Sequence, residues 1–168
     1  MVFNFYNRLT SRQQSIYRQS DDIKYLRLKS VTELQIASQK LKQILITENV
    51  SEAQTVCQQI ADAVVSQINS PRLRVEILSV RPSDDWGELH GLYLPEENGQ
   101  TAKIQVWMRT AKNKKIVAFK SFLRTLLHEL CHHIDYEHFG FPETFHTEGF
   151  YSRESSLLKQ IVPATETK

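Results

Sequence analysis

The chain has 168 residues, 40% of them hydrophobic and 24% charged, a length and composition that suit one compact domain around one sizeable core and do not suggest two. A formal net charge of +2, with Lys112, Lys114 and Lys115 as the one local basic run, does not indicate electrostatic attraction to nucleic acid, and the run reads as a solvated turn. Cys57 and Cys131 are the only cysteines; far apart and in apparent helices, they argue against a disulfide framework and for a reducing compartment.

The opening residues, MVFNFYNRLTSRQQ, lack a basic start followed by an apolar stretch and a cleavage site, so they do not read as a secretory signal. No segment is apolar for long enough to span a membrane, and no glycine follows Met1 to accept a myristoyl group. A cytoplasmic location without membrane partners is the expectation. Thr10 or Ser11 predicts the cap of a short helix through Gln19, and Ser30 or Thr32 opens a longer one with Leu34, Leu41, Ile44 and Leu45 as its apolar residues. Ser51 is read as the cap of the next helix. Its pattern of Val56, Ile60, Ala63, Val64 and Ile68 stops at Asn69-Ser70-Pro71. Leu73, Val75 and Ile77 then alternate with charged residues as a half-buried strand does. Leu89 to Leu94 and Lys103 to Thr110 give two more strands, joined through a hairpin turn region at Pro95-Glu96-Glu97-Asn98-Gly99. The expected sheet is small and mixed.

Phe119, Leu123, Leu126, Leu127, Leu130 and Ile134 recur at three- and four-residue steps, the buried stripe of an amphipathic helix. Beside it runs a polar stripe of His128, His132 and Asp135, as expected where a core helix lines a cleft. Within it, His128-Glu129-Leu130-Cys131-His132 is an HExxH motif. Two histidines four apart lie on one helix face about one turn apart, so both imidazoles can reach a single zinc ion. Glu129 then sits where a general base is needed, beside the water that zinc activates. Cys131 is most simply a small buried residue between the two histidines.

A catalytic zinc site needs a third protein ligand and a fourth position for water. His138 lies ten residues after His128, a spacing that some zinc peptidases use with a glycine seven residues after the first histidine to turn the chain; here that position is Asp135. If the helix continues through Asp135-Tyr136-Glu137, His138 lies about 15 Å along the axis and out of reach. Gly140-Phe141-Pro142 is the better break. His146 follows it, and Phe150, Leu157, Leu158 and Ile161 predict a second amphipathic helix returning against the first. His146 is therefore the favoured third ligand, with Glu154, Glu148 and His138 as the alternatives. Asp135 is a candidate to orient a ligand histidine, and Tyr151 and Arg153 are candidates to stabilise an oxyanion. His133, rotated about 100° from His132, and His90, without a paired ligand near it in sequence, are not read as ligands.

HELCHH followed by FHTEGFYSRESSL resembles the SprT-like kind of small zincin metallopeptidase, which pairs HExxH with a downstream histidine and a phenylalanine four residues later; His146 and Phe150 match. The resemblance extends in layout over Ser51 to Val162. It implies an α+β, minimal zincin-like domain: residues 1–50 a helical N-terminal extension, 51–162 the catalytic core with its HExxH helix. It also implies that the strand Ile104 to Arg109 presents an edge to an extended peptide. Many SprT-like proteins carry a C-terminal four-cysteine zinc ribbon, and this sequence has no such cysteines, which puts the nucleic-acid role in doubt. The reading is a Zn2+-dependent peptidase acting on peptide or protein substrates, with His128, His132 and His146 as ligands and Glu129 as base. The alternatives are a zincin-shaped module in which metal stabilises the fold without turnover, and a nucleic-acid-associated protease.

Overall fold

The computed structural model describes residues 2–85 and 87–164; Met1, where the segment read for a leader begins, lies outside them. A 3-10 turn at Tyr6–Arg8 precedes α1 (Ser11–Asp22), α2 (Thr32–Thr47) and α3 (Val50–Gln67), followed by strands β1 (Arg74–Val80), β2 (Ser83–Asp84), β3 (Gly87–Glu88), β4 (Gly91–Leu94) and β5 (Lys103–Arg109), then α4 (Phe119–Glu137) and α5 (Glu148–Ile161). The fold is α+β with a small mixed sheet, as the sequence predicts.

Helix starts show which capping signals matter. Thr10 forms a capping box with Gln13, satisfying two otherwise unpaired N–H groups, and α1 runs on to Asp22, past the predicted end at Gln19. Neither Ser30 nor Thr32 caps α2; Val31 holds the cap position without a side-chain bond. That helix is tied instead to the end of α5, where Gln35 Nε2 donates to Gln160 O (3.0 Å) and Ser38 Oγ donates to Ile161 O (3.0 Å). Asn49, not Ser51, caps α3, its side chain accepting from Glu52 N–H at 3.1 Å. Glu48, at φ 58°, turns α2 directly into it.

The main sheet has the order β1-β5-β4, with β1 parallel and β4 antiparallel to β5. β5 is thus the central strand, which corrects the expectation that it offers an edge: both sides of its main chain are already paired. Ile104, Val106 and Met108 join the core while Trp107 is buried on the opposite face, the alternation a strand requires. The outer edge of β1 is also occupied. Gln58 of α3 accepts from Val75 N–H (2.8 Å) and donates to Leu73 O (3.0 Å), and Gln54 accepts from Ile77 N–H (3.2 Å), blunting that edge. β4 is shorter than predicted because Leu89 N–H bonds to Pro82 O (3.1 Å), closing a β2–β3 hairpin that the sequence did not suggest. The β4–β5 turn runs through Asn98 (φ 52°) and Gly99 (φ 77°), the pair of left-handed residues a tight hairpin needs. Lys112 to Lys115 form an exposed turn.

The core joins all of the predicted helix faces. Leu34, Leu41, Ile44 and Leu45 of α2, Val56, Ile60 and Val64 of α3, and Leu123, Leu126, Leu127, Leu130 and Ile134 of α4 are buried together with Phe150, Leu157 and Ile161 of α5. Cys57 and Cys131 are free and buried, and desolvation raises both thiols, which makes them inert packing groups. Among the described residues, no helix is long and apolar enough to cross a membrane.

His133 pins β4 to this core. Its Nε2 lies 2.8 Å from Pro71 O and its Nδ1 3.1 Å from Tyr93 Oη; a carbonyl only accepts, so Nε2 carries the proton and the tyrosine donates to Nδ1. Both ring nitrogens are used. Burial lowers the ring's proton affinity further, so His133 is a neutral histidine tying β4 to the core; the sequence reading says only that it is not a ligand.

Candidate metal centre

α4 continues through Asp135-Tyr136-Glu137 and closes where Phe141 N–H bonds to Asp135 O (2.9 Å) and Gly140 adopts φ 67°. The chain then doubles back. Thr147, fully buried, caps α5 by accepting from Phe150 N–H (2.9 Å), which fixes His146 one residue before the cap and opposite the HExxH face.

This return brings three imidazoles together. His146 Nε2 lies 3.0 Å from His128 Nε2 and 3.0 Å from His132 Nε2, and the three residues form a group able to hold a metal ion. The rings rest on Phe150, whose centroid is 5.0, 4.7 and 5.2 Å from those of His128, His132 and His146.

Second contacts fix which nitrogens are free. His128 Nδ1 lies 2.9 Å from Glu154 Oε2, and His132 Nδ1 lies 2.9 Å from Thr144 Oγ1, whose hydroxyl is committed to Asp135 Oδ2 at 2.8 Å. A carboxylate only accepts, and a hydroxyl that has given its proton away must accept, so both Nδ1 atoms carry protons and both Nε2 atoms present lone pairs. His146 has at most one proton at Nε2 to share between them. One N–H cannot point at both lone pairs, so at least one of the two 3.0 Å contacts lacks a directed hydrogen bond, an arrangement that a cation relieves. Tetrahedral coordination at about 2.0–2.1 Å places ligand nitrogens about 3.3 Å apart, close to what is seen. Two of the rings are also kept neutral: desolvation, then the neighbouring imidazoles, lowers His132 to about 3, and desolvation followed by His128 lowers His146. The donor set fits zinc.

Glu129 is 7% exposed and lies against β4, where the Tyr93 backbone N–H bonds to its carboxylate. Desolvation pushes it up to about 7, Glu154 adding to the rise while His128 and the Tyr93 N–H oppose it. Gly91 makes that position available, since a Cβ there would come within 2.6 Å of Glu129 Oε1 and 2.7 Å of Thr125 Cγ2. Two cavities meet at His128, Glu129 and Gly91: one of about 900 Å³ reaching Arg81, Lys115, Arg124 and Tyr151, and one of about 360 Å³ reaching Leu92, Tyr136, Thr144 and His146.

The other candidates take different places. Glu154 is not in the histidine group; it is a buried acceptor shared by His128 and Arg124 Nη1 (2.6 Å). Glu148 is in the first turn of α5 beside a separate groove with Lys24 and Tyr151, and His138 is the C-cap of α4. His90 stands at the cleft mouth, 4.0 Å from Glu88. Asp135 is fully buried and so does not line the cleft as the predicted polar stripe had it; it reaches His132 only through Thr144. Arg153 is fully buried as well and faces Asp135 and α1, which removes it as an oxyanion donor. Tyr151, 42% exposed, remains at the rim.

The model of the WLM domain matches residues 35–162 of the chain. The chain belongs to the WLM domain family. That family is associated with metalloprotease-like enzymes, and the match takes in α4, α5 and every residue of the histidine cluster. No curated protein matches the chain, and no solved structure does. Thr144 and Gly91 are the WLM-domain site residues that sequence reasoning missed. Only Gly91 carried a signal, as an isolated glycine inside a strand pattern, which often marks a close approach.

Proposed function

We propose that this WLM domain is a zinc-dependent peptidase of the SprT-like zincin kind. The observation that carries the reading is the convergence of three imidazole nitrogens beside a desolvated carboxylate in an open cleft. Zinc, when bound, supplies a Lewis acid for the scissile carbonyl and lowers the pKa of water. His128, His132 and His146 would hold it. Glu129, kept near neutrality by its surroundings, accepts the proton of the attacking water and passes it to the leaving amine. Tyr151, whose hydroxyl stays protonated because burial and then Glu154 raise it, is placed at the rim as a donor to the developing oxyanion.

The substrate edge is β4. Gly91 and Tyr93, two residues apart, turn their main-chain groups the same way, and Tyr93 N–H points to Glu129. An extended peptide added beside β4 would run past the base and the histidines. The protein should therefore cleave an unfolded polypeptide of mixed sequence when zinc-loaded, lose that activity on chelation and regain it on zinc addition. Cleavage that persists unchanged through chelation removes the reading.

Gly91→Ala tests the fit of base to strand. The added Cβ needs several tenths of an ångström that only movement of Glu129 or β4 can give. Peptidase kcat/KM should fall by about 10- to 100-fold at unchanged zinc content; parental kinetics would mean that Glu129 does not act from the position seen.

A further inference from the structure

The side chains behind His132 form a continuous path, half-buried at Thr144 and fully buried beyond it, to a part of the chain outside the matched family segment. His132 Nδ1 donates to Thr144 Oγ1, Thr144 donates to Asp135 Oδ2 (2.8 Å), and Asp135 Oδ1 accepts from Arg153 Nη2 (2.8 Å). Arg153 and Asp135 have no exposed side-chain surface. The guanidinium lies between the rings of Phe139 and Phe150, 5.5 and 5.7 Å from their centroids. Its remaining bonds go to the end of α1: Nη1 to Ser20 O (2.6 Å) and Ile23 O (2.5 Å), and Nη2 to Ser20 Oγ (3.0 Å). Carbonyls at a helix C-terminus carry partial negative charge, so they hold a buried cation that one carboxylate only partly compensates. α1 is clamped to α5 at the same place, where Gly149 N–H bonds to Asp21 Oδ1 (2.8 Å).

We infer that α1 is a working part of the metal centre: its last-turn carbonyls fix Arg153, Arg153 fixes Asp135, and Asp135 acts through Thr144 to set the tautomer and ring orientation of His132. Thr144, Asp135 and Arg153 are positioning residues and touch no substrate. The inference rests on the reading of His128, His132 and His146 as metal ligands and is independent of peptide hydrolysis. A buried partner that merely packed would not need a hydroxyl at 144. A partner that selects Nδ1–H needs an acceptor there, and Thr144 accepts only because Asp135 takes its proton.

His128 is an internal control, because Glu154 and Arg124 hold it without α1. Long-range proton–nitrogen correlation spectra of the metal-free full chain, at a pH where the rings are neutral, report the tautomer of each histidine. In the parent, His132 should carry its proton at Nδ1. In Thr144→Val, which keeps shape and loses the hydroxyl, His132 should shift toward the Nε2–H form while His128 does not. Zinc affinity, read by chelator competition, should weaken by about 10-fold or more. Thr144→Ser should restore both readouts. Parental tautomer and affinity in Thr144→Val overturn the relay.

The α1 arm is tested by Gly149→Ala, whose Cβ would fall 2.3 Å from Asp21 O and 2.6 Å from Ser20 O, so the carbonyls that hold Arg153 must move. A changed His132 with an unchanged His128 supports the inference. An unchanged His132, or both rings changed alike, places the disturbance elsewhere and overturns it. Should Gly149→Ala not fold, Ser20→Ala removes one bond of α1 to Arg153 and carries the same readout. If the parent binds no zinc, the metal-ligand reading fails on that result alone, while the spectra still decide whether the path from α1 to His132 exists.

Discussion

Glu129→Gln should lower kcat for peptide cleavage by about 10³-fold or more while zinc content and thermal midpoint stay near those of the parent. The substitution keeps size and the oxygen that accepts from Tyr93 N–H, so β4 and α4 stay in register. It removes only the capacity to take a proton. Glu129 is buried, its pKa pushed up to about 7 by desolvation, and it is outside the cluster of three histidines; a neutral amide in its place meets a smaller desolvation penalty than a carboxylate, so a loss of folding is not expected. The assay compares parent and variant at equal zinc occupancy on an unfolded polypeptide. Equal cleavage would sink Glu129 as the base. If parent and variant are both fully loaded and neither cleaves, the result favours the other reading the motif allows, a domain whose metal stabilises the fold without turnover.

The parts of this site legible in the sequence are those set by helix periodicity and by glycine and proline. The spacing of His128 and His132 fixes them on one face of α4 whatever the rest of the chain does. Gly140 and Pro142 mark the break that lets His146 return, and Asp135 in place of a glycine makes His138 the less favoured alternative. What did not read out depends on contacts between distant segments. β5 became the central strand because β1 pairs along its other side from nearly thirty positions upstream, and no local pattern orders strands. Glu154 appeared as an alternative ligand as a carboxylate nearly two turns into α5; its 2.9 Å approach to the far nitrogen of His128 places it instead behind that ring. Asp135 reads as a candidate to orient a ligand histidine; it reaches His132 only through Thr144, which sits in a loop without periodicity and gave no signal. Arg153 illustrates the same limit: an arginine at a helix start resembles a cleft donor until its partners, the carbonyls of α1, are placed.

His146→Ala should cost the second large effect, a loss of zinc affinity of about 10²- to 10³-fold. The binding free energy of a zinc site, about 10–16 kcal/mol, shared over three protein ligands and water, leaves about 3–4 kcal/mol to each, and about 1.4 kcal/mol is a factor of ten. The side chain is exposed and its ring is one of three resting on Phe150, so removing it opens no sealed cavity and the fold should survive. His138→Ala, at the C-cap of α4 and outside the cluster, should leave zinc affinity unchanged. Glu154→Gln still offers an oxygen to His128 Nδ1 but loses its charge, and a fall of about 10-fold is expected from so modest a change in an orienting partner. Chelator competition ranks the three variants on one scale. Were Glu154→Gln the most damaging and His146→Ala the mildest, the carboxylate would have to turn inward as a ligand, and the lone-pair argument that makes His146 the third donor would fail.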